Sequence, residues 1–174
     1  MAAGPKRPDR FVGAGQLAWH DNLRDGRLMF QRQFLGRAAG AAQLGASLYE
    51  IPAGGQLWTY HYHHAEEEAI FVLAGKGSVR LPAGKTVLQA GDYLALPVGP
   101  EGAHLVLADA GEPLRLLAVS TLHDADVVSY PDSGKIGIFS RQPLKMDAGK
   151  AVKGMFLHTD TPVSIWSGEK GDPA

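Results

Sequence analysis

The sequence predicts an all-β sandwich or barrel, and three observations carry the prediction. Turn signals recur at about 8–12-residue spacing. The segments between them are rich in Val, Ile, Leu, Tyr and Phe, which suit a pleated, half-buried surface. Helical stretches with an apolar stripe are scarce. Residues 38–44 are Ala-rich enough for a turn or two of helix, but glycines at 36, 40 and 45 argue against it.

The strands follow in chain order. Leu44–Ile51 ends at Pro52-Ala53-Gly54-Gly55, and 57–63 ends in an acidic turn, Ala65-Glu66-Glu67. The apolar run 69–73 stops at Ala74-Gly75-Lys76-Gly77. Residues 78–81 and 86–89 flank Pro82-Ala83-Gly84-Lys85, a hairpin signal. Tyr93–Leu96 runs into Pro97-Val98-Gly99-Pro100-Glu101-Gly102, and His104–Ala108 and Leu114–Thr121 flank Asp109-Ala110-Gly111-Glu112-Pro113. The flanks add strand-like pieces at 27–35, 135–140 and 154–159. The expected organisation is an N-terminal arm with edge strands over 1–43, a barrel core over 44–121, and a C-terminal extension over 122–174 packing on the barrel. Residues 1–15 read as a loose arm, 145–153 as a solvated loop and 167–174 as a fraying tail.

At 174 residues and a net charge of −1, the chain has neither the length of a multidomain protein nor a basic footprint for nucleic acid or an anionic membrane. It has no cysteine, which excludes disulfides, thiolate metal sites and a cysteine nucleophile. The N-terminus MAAGPKRPDRFVGAG has charges with no apolar segment behind them, and the longest apolar run, 69–74, is far short of a membrane span. A cytoplasmic protein is expected.

Seven histidines raise the chemical question. Along a strand, side chains alternate faces, so His61 and His63 share one face with Leu57 and Thr59. Two imidazoles followed by a turn and a carboxylate suit a transition metal. The competing reading is a polar loop of His and Glu solvating a turn. Against it, the pair lies inside an aromatic, apolar strand, where a buried imidazole needs a partner. Alternation does not choose between Glu67 and Glu68: either facing inward gives an apolar interior.

A second stretch, Gly91 through Pro97-Val98-Gly99 to His104, completes a pattern that resembles the cupin superfamily. The first cupin motif is matched by Gly55, His61, His63, Glu68 and Gly75, and the second by Gly91, Pro97, Gly99 and His104. That spacing selects Glu68 over Glu67. Two departures stand out: the gap from Gly99 to His104 is longer than usual, and Ala108 replaces the motif's Asn. The match covers about residues 44–121, and Tyr130 to Gly137 is similar to a stretch in uncharacterised single-domain bacterial cupins.

The resemblance implies a double-stranded β-helix, or jelly-roll barrel. It also implies that His61, His63, Glu68 and His104 converge on one divalent transition metal, with Fe or Mn favoured and Ni, Zn or Cu compatible. Three neutral imidazoles and one carboxylate would leave a net charge of about +1 and open positions for a ligand. The activity implied is that of a metal-dependent oxidoreductase, lyase or isomerase, dioxygenase-like by analogy, on a small polar or anionic molecule. The alternative is a metal-loaded barrel that binds or senses a small molecule without turnover. No catalytic residue beyond the ligands is identified.

Other expectations complete the reading. Leu57, Ile70, Val72 and Val106 form an apolar wall beside the metal. Trp58, Tyr60 and Tyr62 face away from it, against a flanking segment or a second subunit, and Tyr93 packs in its strand. Arg80 and Arg115 are outer-face residues. His20, His123 and His158 lie outside the motifs, and Asp124, Asp126 and Asp132 form an acidic patch without ligand spacing. Uncovered sheet edges predict a homodimer. With three histidine ligands, metal affinity is expected to fall steeply below about pH 6.

Overall fold

The computed structural model describes residues 10–145 and 151–160. Thirteen strands are assigned among them: β1 (His20–Arg24), β2 (Arg27–Gln33), β3 (Leu44–Ile51), β4 (Gln56–His63), β5 (Glu68–Ala74), β6 (Lys76–Leu81), β7 (Gly84–Gln89), β8 (Tyr93–Leu96), β9 (His104–Ala108), β10 (Leu114–Thr121), β11 (Ala125–Tyr130), β12 (Lys135–Lys145) and β13 (Ala151–His158). They form two antiparallel sheets, one ordered β1-β2-β3-β10-β5-β8 and the other β13-β12-β11-β4-β9-β6-β7. Sequence neighbours such as β9 and β10 lie in different sheets, as in a jelly-roll sandwich. The all-β expectation holds.

The core lies between the sheets and follows from alternation. In β9, His104, Val106 and Ala108 are buried while Leu105 and Leu107 are only partly so. In the facing sheet, Leu114 pairs with Ile51 and Leu116 with Tyr49, and all four point inward. Val72, Val79 and Val106 fill the centre. Complete burial of such a side chain stabilises the fold by about 1.5–3 kcal/mol.

The flanking strands extend both sheets. β1 and β2 continue the first, and β11, β12 and β13 continue the second. Gln33 is buried and its Nε2 donates to the carbonyls of Ala14 and Leu17, so the inner end of the N-terminal segment is held down. Residues 1–9 and 161–174 lie outside the described residues, and with them most of the expected arm and all of the expected tail.

Three local expectations are corrected. The helical turn is α1 (Leu35–Ala38), upstream of the Ala-rich stretch, and that stretch enters β3. Of the expected loop at 145–153, residues 146–150 lie outside the described residues, and its ends are paired: Lys145 lies opposite Ala151 between β12 and β13. The acidic patch at 124–126 leads into strand β11, which was not anticipated.

Candidate metal centre

β4 and β9 lie side by side, with His61 directly opposite His104. Their rings are 4.5 Å apart between centroids, and the His63 ring is 5.1 Å from that of His61. Glu68, the first residue of β5, reaches in from the other sheet. Its Oε2 lies 3.3 Å from His63 Nε2 and 3.6 Å from His104 Nε2. One ligand-type atom each from His61, Glu68 and His104 falls within 4.8 Å of the others. Glu67 is exposed, and its backbone N–H donates to Thr121 Oγ1.

The local backbone explains the placement. Gly99 has φ 85°, left-handed space that glycine tolerates, and its N–H donates to the His63 carbonyl at 2.7 Å. The Gly/Pro turn is thus tied to the strand that bears the histidine pair. The longer gap before His104 forms a 3₁₀ turn, Pro100–Gly102. A Cβ at Gly102 would overlap the Pro97 carbonyl oxygen, so the turn needs glycine there. The motif's missing Asn leaves the backbone pairing intact, since Ala108 N–H donates to Gly55 and Asp109 N–H to Lys76.

Each of the three histidines has its Nδ1 engaged. His61 Nδ1 meets the Thr59 carbonyl at 2.7 Å, His104 Nδ1 the Gly102 carbonyl at 2.9 Å, and His63 Nδ1 the Asp126 carboxylate at 2.5 Å. A carbonyl or carboxylate only accepts, so Nδ1 carries the hydrogen in all three rings. Nε2 is then the nitrogen left for a metal, and for His63 and His104 it points at Glu68.

The electrostatics separate the rings. Burial, then the neighbouring His104, lowers the His61 pKa to about 4, and burial lowers that of His104 too. For His63 burial acts in the same sense, but hydrogen bonds to Asp126 and Glu68 outweigh it and raise the pKa to about 10. For Glu68 burial pushes upward, and the bond to His63 overcomes it, leaving about 2. The donor set fits a divalent ion: His61 and His104, of fixed tautomer, converge with an ionised Glu68, while His63 meets Glu68 through Nε2 but groups with Glu66 and Asp126.

The cluster opens into a cavity of about 680 Å³ that Leu57, Trp58, Thr59, Ile70, Glu66 and Tyr130 help to line. Of the expected apolar wall, Leu57 and Ile70 take part, while Val72 and Val106 belong to the core. Trp58 was expected to face away, yet it borders the cavity. Its φ is 57°, the β4–β9 register shifts between Leu57 and His61, and its ring packs on Phe30 of β2 at 4.7 Å. Such a bulge redirects side chains and breaks strict alternation. Tyr60 is buried under Arg80, whose guanidinium carbon is 3.9 Å from the ring centroid and which also pairs with Asp132. Tyr93 is exposed rather than packed.

Sequence reasoning missed three residues of the site. Asp126 is only 5% exposed and holds His63, with Ala65 N–H on its other oxygen at 2.9 Å. Tyr130 stacks on His61 at 6.0 Å. Glu66 forms a second ligand-type group with His63 and Asp126. Its carboxyl accepts from His123 N–H at 3.3 Å, and burial raises its pKa. The available signal was the period-two spacing of Asp126, Val128 and Tyr130.

Residues 47–120 match the family model of the cupin domain. That segment is a cupin domain. The cupin fold extends beyond the match: a candidate sugar phosphate isomerase from Acidithiobacillus ferrooxidans aligns at TM-score 0.72, 24% identity, over 90% of this chain and 97% of that one. A sugar phosphate isomerase of the cupin superfamily from Silicibacter pomeroyi aligns at 0.66, with 22% identity, over 79% and 82%. The polyketide cyclase RemF of Streptomyces resistomycificus aligns at 0.56, with 21% identity, over 65% and 79%. No curated protein matches the sequence. No helix among the described residues is long and apolar enough to cross a membrane.

Proposed function

We propose that this cupin is a metal-dependent enzyme acting on a small anionic molecule, with His61, His63, Glu68 and His104 as ligands to one divalent ion, iron or manganese before nickel, zinc or copper. The observation that carries the reading is the fixing of all three Nδ1 atoms, which leaves the Nε2 atoms for a metal beside Glu68 in the lining of a large cavity. When bound, the ion supplies a Lewis acid for a chelating oxygen. Leu57 and Ile70 keep water from one side of the ligand. Glu66 lines the same cavity, and its raised pKa suits it to exchange a proton with a bound substrate. Proton transfer beside a chelated carbonyl needs no oxidant, and the two isomerase-named proteins of the same fold fit it better than the dioxygenase analogy.

The test is solvent-deuterium exchange, followed by NMR, in manganese- and iron-loaded protein given small hydroxy acids, keto acids or aldose phosphates. Exchange at the carbon next to the chelating group is expected. Glu66→Gln should lower it about 100-fold or more while leaving metal content unchanged. Oxygen uptake without exchange moves the reading to the dioxygenase class, and neither activity leaves a binding protein.

A homodimer belongs to the same proposal. Phe71, Leu73, Tyr93 and Val119 are exposed on the outer face of β5, β8 and β10, and packing two such faces together would cover them. Light scattering at micromolar concentration should give twice 18.5 kDa.

A further inference from the structure

Four cationic side chains line the cavity that contains the histidine cluster: Arg24, Arg32, Lys135 and Arg141. Three are engaged elsewhere or open to solvent. Arg24 is highly exposed and 3.7 Å from Asp25. Lys135 sits over the Tyr130 ring at 5.7 Å, and Arg141 Nη1 donates to the Ala42 carbonyl at 2.9 Å.

Arg32, on β2, differs. It is half-buried, and its guanidinium carbon lies 4.4 Å from the Phe34 ring centroid and 5.1 Å from that of Tyr49. Its Nε–H donates to Ser47 Oγ at 3.0 Å. These contacts fix the plane of the group. It makes none of the ion pairs found among the described residues, whereas Arg80 and Arg115 both have carboxylate partners. A partly desolvated charge without a counter-ion is unfavourable until an anion arrives. A guanidinium held in one plane presents N–H donors in a fork that matches an oxyanion.

We infer that Arg32 is a specificity-determining residue, receiving the phosphate or carboxylate tail of a substrate whose other end chelates the metal. The inference rests on the metal reading above and adds to it a second anchor in the same cavity. The ligand class is a small polyhydroxylated molecule with an oxygen chelate at one end and an oxyanion at the other.

Gluconate and 6-phosphogluconate test this, because both offer an α-hydroxy carboxylate and only one carries a phosphate tail. Their affinities are measured by calorimetry on the full-length manganese-loaded protein, with manganese binding followed separately by electron paramagnetic resonance. The phosphorylated compound should bind at least about tenfold tighter. In Arg32→Met, which keeps an apolar chain beneath the rings, that preference should shrink to within about twofold, with gluconate and manganese affinities unchanged. If Arg32→Met does not fold, Arg32→Gln is read the same way. Equal affinity for the two compounds in the native protein, or a preference that survives loss of the guanidinium, overturns the inference. Failure of manganese to bind overturns the metal reading instead, and the two failures are distinct in the data.

Discussion

Two strand regions hold the histidines in different ways. Where β4 pairs with β9, His61 and His104 give their Nδ1 hydrogens to backbone carbonyls, which are neutral acceptors. Where β4 pairs with β11, His63 gives its hydrogen to Asp126, a buried carboxylate. One residue type in one cluster therefore titrates in opposite directions: burial lowers His61 to about 4, while the two carboxylates hold a proton on His63 up to about 10. The backbone-held pair is ready for a metal at any ordinary pH. The carboxylate-held ring must release a proton first, and so the pH dependence of metal binding belongs to β11.

The largest expected effect comes from removing a ligand on the backbone-held side. His104→Ala should strip most of the bound ion while the fold persists, measured by elemental analysis and circular dichroism of the purified variant. Glu68→Gln should do nearly the same. Glu67→Gln should leave metal content intact, because Glu67 is exposed and away from the cluster. Full occupancy in His104→Ala would end the assignment.

On the carboxylate-held side the effect is smaller and of another kind. Asp126→Asn leaves every ligand in place but loosens the His63 ring, and metal affinity should drop about 10–100-fold. It should also change proton bookkeeping. Below pH 10 metal-free His63 carries a proton that the ion displaces, so the native protein should release about one proton per ion at pH 8. Calorimetry in buffers of different ionisation enthalpy reads that number, and in Asp126→Asn it should fall clearly below one. This revises the expectation of a single steep loss below about pH 6: affinity already declines by about a decade per pH unit below pH 10, and His61 adds a second proton only near pH 4.

The same contrast explains what could be read from the sequence. Turn spacing and alternation identify the strands of the barrel, because their inward positions are apolar. His61, His63 and His104 stand out because imidazoles interrupt that pattern between Gly and Pro turns. Glu68 needed the motif spacing, since alternation allowed Glu67 equally. β11 was hidden because an inward position is occupied by Asp126, which makes a strand look like an acidic turn. Its partner lies 63 residues earlier, and no local pattern encodes that pairing. Trp58 was misplaced for a related reason: the β4 bulge turns a residue that alternation points outward toward the cavity.

The smallest expected effect is on stability of the metal-free protein, and here the two kinds of histidine pull in opposite directions. His61 has a folded pKa below the ordinary 6.5, so below 6.5 the unfolded chain takes up a proton that the folded one refuses, and stability is lost as pH falls toward about 4. Glu68, lowered to about 2 from 4.5, continues that loss at more acid pH. His63 has a folded pKa above 6.5, so its contribution is complete below 6.5 and is lost as pH rises through about 10. The melting temperature without metal should therefore peak near pH 6.5 and decline on both sides. Asp126→Asn should flatten the alkaline decline and spare the acid one, as thermal melts from pH 4 to pH 10 would reveal. An alkaline decline that persists in Asp126→Asn would mean that Glu68 alone holds the His63 proton, and the contrast between β9 and β11 would lose its electrostatic basis.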